Sequence, residues 1–263
     1  MREQESHMPI NSFNLMSRSA TTTVRLGVGA LSFVVLLVPF IVHSRATEPK
    51  PEIRILFIGN SFTYYNDLPR MVAELAEAGG QRPLHYENET PGGYTLEKHW
   101  QDRKAASRIQ SGHWDFVVLQ DQSEAPLLRR DAMIEYGKNF DAEIKKQRAK
   151  TILYETWALQ NKLEQQTAIS NAYEGLSREL KARLAPVGSA WQTALRSDTK
   201  LILHDMDHKH PNATGTYLGA CVFYATIFGK SPEGLPGRIG GLTNGEAQQL
   251  QAIAWKSVQA AGK

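Results

Sequence analysis

Ile53-Arg54-Ile55-Leu56-Phe57-Ile58 runs directly into Gly59-Asn60-Ser61-Phe62-Thr63, and the fold is read outward from this stretch. Its apolar residues do not alternate with polar ones, which marks a strand buried on both faces, as in a parallel sheet covered by helices. A glycine straight after such a strand lets the chain turn sharply and presents Ser61 at the sheet edge, near a helix start. Peptide N–H groups at a turn of this kind can stabilise a developing oxyanion. Taken by itself the loop reads as a helix cap at Asn60 or Ser61. A phosphate-cradling loop is not indicated, since neither G-x-x-x-x-G-K-[ST] nor G-x-G-x-x-G is present there.

Beyond this loop, helix-like and strand-like segments alternate. Leu68, Met71, Val72, Leu75 and Ala76 fall at helical spacing, and Gly79-Gly80 stops that helix. Strands are predicted at 84–88, 116–119 and 151–154, with a short last one near Pro186 and Val187. Helices are predicted from Leu96, over 131–147, along a long stretch 163–184, over 213–228 and over 246–261. The last opens with the capping-box pair Thr243 and Glu246. Alternating β and α segments predict an α/β fold with a parallel sheet between two helical layers. Ligands of such sheets lie beyond the carboxyl ends of the strands. The loops to inspect follow Ile58, Asn88, Leu119 and Tyr154, together with the late loop before Ala213.

That late loop reads His204-Asp205-Met206-Asp207-His208-Lys209-His210-Pro211, with Asn212 placed to cap a helix. Asp207 lies three residues before His210, so its carboxylate can accept the imidazole Nδ1–H and leave Nε2 free to deprotonate a serine. Two other readings stay open: a polar surface loop, and a metal site drawing on His204, Asp205, Asp207, His208 and His210. His85, His99 and His113 are scattered and read as surface or strand-edge residues. Tyr64, Tyr65, Tyr94, Trp100, Trp157 and Trp191 gather near these loops. Trp157 among them is a candidate for stacking on a sugar, although most buried aromatics are core. Glu155 follows a strand on the active edge and reads as a surface ion pair, with a substrate contact as the alternative.

The chain has 263 residues, 41% of them hydrophobic, with a formal net charge of +3. Setting aside residues 1–46, which hold four basic and two acidic side chains, leaves 26 basic against 25 acidic residues. A nearly neutral body without a basic run gives no footprint for nucleic acid. One cysteine, Cys221, excludes an internal disulfide and reads as a buried structural thiol. Leu26 to Val42 is uncharged and apolar, preceded by Arg18 and Arg25 and followed by Ser44-Arg45-Ala46. This is the pattern of a secretory signal; an uncleaved membrane tether through 26–42 is the alternative. The organisation expected is an N-terminal extension (1–46), a linker (47–52) and one domain (53–263), exported to the periplasm or the exterior.

A strand ending in G-[DN]-S, with D-x-x-H-P near the other end of the domain, resembles the SGNH (GDSL-like) hydrolase superfamily. Within it, FIGNSFT (57–63), PGGYTLEKHW (91–100), VVLQDQS (117–123), PVGSAW (186–191) and HPNATGTYLGACVFYATIFG (210–229) are similar to a bacterial SGNH-like subgroup. The resemblance implies a three-layer α/β/α sandwich with a flavodoxin-like sheet of about five strands. It implies Ser61 as nucleophile, His210 as base and Asp207 as the group orienting it. The N–H groups of Ser61 and Gly93 would serve the oxyanion. The family's third block usually supplies an asparagine; here it reads Gln120-Asp121-Gln122-Ser123, and Gln122, ahead of Gln120, is the expected substitute. Asn60 stands in place of the commoner aspartate, as a loop brace at the substrate-binding edge. No cofactor or metal is implied. The substrate expected is an acyl ester, short-chain and carried on a carbohydrate or glycoconjugate. A weakened carbohydrate-binding protein, an acyltransferase and a metal-dependent hydrolase are the alternatives.

Overall fold

Five parallel strands in the order β2-β1-β3-β4-β5 form the centre of the computed structural model, which describes residues 51–262. The expected N-terminal signal or tether lies outside the described residues. The strands are β1 (Ile53–Ile58), β2 (Leu84–Glu89), β3 (Phe116–Leu119), β4 (Lys150–Tyr154) and β5 (Arg183–Ala185). The helices are α1 (Ser61–Tyr64), α2 (Leu68–Ala78), α3 (Leu96–Asp102), α4 (Lys104–Ser111), α5 (Ala125–Leu128), α6 (Arg130–Lys146), α7 (Gln166–Leu180), α8 (Val187–Ser197), α9 (Ala213–Phe228) and α10 (Asn244–Ala261).

The apolar residues of β1 are divided by the pleat. Ile53, Ile55 and Phe57 face a core shared with α2, α8, α9 and α10. Leu56 and Ile58 face a second core shared with α3, α4, α6 and α7. Burial on both faces is what made the strand legible. Cys221 lies fully buried in α9, as the sequence predicts. The chain leaves β1 for β2 on one side and then returns past β1 to β3 on the other. The carboxyl end of β1 is therefore the switch point of the sheet, the place where ligands of such sheets bind. Ser61 sits three residues beyond that end.

The sequence reading predicts neither α5 nor α8, and two of its boundaries near β5 differ from the structure. The predicted helix over 163–184 is a 3-10 segment (Gln160–Gln165) followed by α7, which stops at Lys181 in a left-handed conformation with φ of 52°. Leu184, predicted on the helix, belongs to β5 instead. β5 precedes Pro186 because a residue without an N–H cannot extend the ladder.

Candidate active site

The turn after β1 is held from three directions. Gly59 N–H donates to Glu89 O (3.1 Å), extending the β1–β2 ladder. The Gly59 carbonyl accepts from His99 Nε2 at 2.7 Å. Asn60 N–H donates to Gln120 Oε1 (2.9 Å), and the Asn60 side chain accepts from Phe62 N–H (3.1 Å) and Gln120 Nε2 (3.0 Å) while donating to Tyr94 O (2.9 Å). A Cβ at position 59 would lie 2.5 Å from Gln120 Oε1 and 2.7 Å from Thr63 Oγ1, so only glycine fits between strand and brace. Asn60 caps α1 and engages the N–H groups of Phe62, Thr63 and Tyr64. Ser61, 8% exposed, opens the helix with its hydroxyl at the sheet edge.

The late loop folds back on itself through Asp205 N–H to His210 O (2.7 Å) and Asn212 N–H to Leu203 O (2.9 Å). Asp207 Oδ1 accepts from the N–H groups of Lys209 (3.0 Å) and His210 (2.9 Å), and its Oδ2 accepts from His210 Nδ1. Burial pushes the Asp207 carboxyl up, but these hydrogen bonds outweigh it and bring the pKa down to about 2. An ionised Asp207 can only accept, so the proton of His210 is on Nδ1. His210 Nε2 then faces Ser61 Oγ at 2.8 Å, across 149 residues of chain. This arrangement can move a proton from the serine hydroxyl to the imidazole.

No protein-family model matches the sequence, and no curated protein does. Solved structures do match. A DUF4886 family protein from Bacteroides uniformis aligns with a TM-score of 0.67 at 18% identity, over 81% of this chain and 97% of its own. A protein from Slackia heliotrinireducens assigned to the SGNH hydrolases gives 0.57 at 25% identity, over 67% of this chain and 100% of its own. The fold is that of the SGNH hydrolases. An acetyl xylan esterase shares it, with a TM-score of 0.55 at 16% identity, over 66% of this chain and 100% of its own.

Within this SGNH fold, Ser61, Asp207 and His210 are brought together. Gly93, with φ of 69°, lies in the neighbouring loop, which Asn60 ties down through Tyr94 O. Other expected residues stand elsewhere. The Gln122 amide folds back on its own loop, donating to Ser123 Oγ (3.0 Å) and accepting from Glu124 N–H (2.8 Å). Asn60 is buried with its amide consumed by internal bonds, so it braces the turn and does not face a substrate. Trp157 is 1% exposed and stacks between Phe62 (4.3 Å) and Trp191 (4.1 Å), which leaves no ring face for a sugar. The candidate metal ligands diverge: His204 turns inward to Ala158 O (3.0 Å), while His208 Nδ1 meets Gln160 Oε1 (2.8 Å). No group of three or more His, Cys, Asp and Glu side chains converges among the described residues.

Sequence reasoning missed three residues. His99 is not on the surface; it is fully buried under Gly59, and burial lowers its pKa, so a neutral ring donates Nε2–H to the turn. Gln120 is the brace of Asn60, and its N–H continues the ladder to Ile58 O (2.9 Å), so its place beside Gly59 follows from strand register. Tyr65 stacks on His210, and its spacing of four from Ser61, one helical turn, is the signal that points to it.

Glu155 is also fully buried, not a surface ion pair. Its Oε1 accepts from Ser170 Oγ (2.7 Å), Ser189 Oγ (2.9 Å) and Gln166 Nε2 (3.1 Å), whereas Oε2 has no partner. Burial raises its pKa to about 7, against the pull of those hydrogen bonds. Between about pH 4.3, the ordinary glutamate value, and pH 7, the native state therefore holds a proton that the unfolded chain has released. Stability contributed here is fully present below that window and falls as pH rises through it. Glu155→Gln is expected to flatten this part of the stability-versus-pH curve, as measured by urea unfolding at pH 5 and pH 8. An unchanged slope would remove Glu155 as its source.

Proposed function

We propose that this chain is an exported serine esterase that removes a short acyl group from a carbohydrate or glycoconjugate. The observation carrying the reading is the 2.8 Å contact between Ser61 Oγ and His210 Nε2, with Asp207 on the far side of the ring. Ser61 Oγ attacks the ester carbonyl carbon as His210 Nε2 takes its proton. The oxyanion rests on the peptide N–H groups of Ser61 and Gly93, without a third donor from Gln122. Collapse of the tetrahedral adduct releases the alcohol, which receives the proton from His210. Water, deprotonated by the same imidazole, then frees the acid from acyl-Ser61. This chemistry needs no cofactor.

The acyl and alcohol classes rest on two supports. One solved neighbour is an acetyl xylan esterase, and Leu26 to Val42 has the pattern of a secretory signal, which would place the chain outside the cytoplasm, the location of acylated polysaccharides. The test is labelling with a fluorophosphonate probe and mapping of the modified peptide, with acetylated xylan oligosaccharides and long-chain acyl esters compared as substrates. Modification at Ser61 that is lost in His210→Ala, with acetate release from the oligosaccharide, is the expected result. No labelling at Ser61 overturns the reaction class, and preference for the long-chain ester overturns the substrate class.

A further inference from the structure

We infer that Tyr65 and Asn66 form a clamp that positions His210 for proton transfer; the inference rests on the esterase reading of Ser61 and His210. Four observations carry it. The Tyr65 ring lies parallel to the imidazole, with centroids 4.0 Å apart and planes inclined by 7°. Phe62 meets the same imidazole edge-on at 5.6 Å. Asn66 Nδ2 donates to the carbonyl of Pro211 (3.0 Å), the residue directly after His210, and to Thr216 Oγ1 (2.9 Å) in α9. Asn66 holds a left-handed conformation, φ 51° and ψ 21°, followed by Asp67 at φ 52°. Consecutive left-handed residues other than glycine are uncommon, and they persist where surrounding contacts over-determine them.

The need for a clamp follows from the exposure of Asp207. Its side chain is 46% exposed, and the imidazole it orients is 16% exposed. A solvent-facing hydrogen bond competes with water and holds geometry weakly. Rotation of the imidazole about Cβ–Cγ would break both the Nδ1 and the Nε2 contacts, and the flat face of Tyr65 opposes that rotation. Because residues 61–66 carry both the nucleophile and the clamp, one short rigid segment sets the Ser61-to-His210 spacing. One ring face of Tyr65 is used on the imidazole, so the residue is a positioning group.

The test compares wild type with Tyr65→Phe, Tyr65→Leu and Asn66→Gly in full-length protein, using kcat and KM for p-nitrophenyl acetate and the rate of fluorophosphonate labelling at Ser61. Tyr65→Leu is expected to lower kcat and the labelling rate by about 10- to 100-fold, the scale of a misplaced catalytic group, with KM held. Tyr65→Phe keeps the ring face and is expected to restore most of that loss. Asn66→Gly keeps the left-handed backbone but lacks the amide, and is expected to fall in kcat in the same manner. It reads the clamp independently if Tyr65→Leu does not fold. Unchanged kcat in both ring and amide variants, or a rise in KM with kcat intact, overturns the clamp while leaving the esterase reading in place. Wild type that is not labelled at Ser61 overturns both.

Discussion

Replacement of Ser61 by alanine is expected to lower kcat toward a short-chain acyl ester by about a million-fold, and His210→Ala by a similar factor. In the proposed mechanism the two residues act as a unit, since a hydroxyl with its ordinary acidity is a poor nucleophile and an imidazole without the hydroxyl has nothing to activate. The double variant is therefore expected to be no worse than either single one, in place of the product of the two losses. What activity survives comes from the peptide N–H donors, which need neither side chain. Ser61→Ala removes one hydroxyl at the sheet edge and leaves the Asn60, Gln120 and His99 bracing untouched, so the melting temperature should move little. Steady-state kinetics on the three purified variants checks this. Multiplicative losses, or an alanine variant retaining a few per cent of turnover, would mean that Ser61 and His210 do not share a step.

The parts of this fold that could be read from sequence are those where one physical signal dominates. β1 was legible because burial on both faces suppresses alternation, and the capping pair Thr243 and Glu246 because its two hydrogen bonds need those residue types at that spacing. The helix over Ala213–Phe228 was bounded by a capping Asn212 at one end and Gly229 in a left-handed turn at the other. The stretch 160–185 was misread because its apolar spacing continues through Leu184, while the break at Lys181 depends on a backbone conformation that no residue type announces. Arg103, also left-handed, splits the helix beginning at Leu96 into α3 and α4 in the same way.

The Asp207 and His210 pairing was legible for a local reason: the two lie in one loop, three apart. The bracing beneath Ser61 was not, because it is made by residues from three separate elements. Gln120 and Gln122 are two residues apart in one polar block, and only the β3 ladder, running on to Gln120, decides which of them meets Asn60. His99 looked like a surface residue because its neighbours Glu97, Lys98 and Gln101 are polar, yet a helix shows a buried face every third or fourth position, and Leu96 shares that face. Trp157 was read for its chemistry when its burial was the stronger fact.

Trp157→Ala is for that reason expected to be the most damaging substitution to stability, by about 3–5 kcal/mol, the range for emptying a buried aromatic site. In a body of this size that lowers the melting temperature by about 6–20 °C. Three contacts go together: the stacks on Phe62 at 4.3 Å and on Trp191 at 4.1 Å, and the indole N–H donated to Lys209 O at 3.0 Å. Phe62 directly follows Ser61 and Lys209 directly precedes His210, so one side chain backs both halves of the proposed catalytic pair. Activity is accordingly expected to fall well below the melting range, where the variant is still folded. Trp157→Phe separates the two effects, since a phenyl ring keeps much of the stack but cannot donate to Lys209. Its stability loss should be smaller, with a fall in kcat that reports the freed histidine loop. Calorimetric melting paired with kcat at 20 °C makes the distinction. A Trp157→Ala protein that melts near wild type would show that the stack does not hold this edge of the sheet, and full kcat in Trp157→Phe would show that the bond to Lys209 does not steady His210.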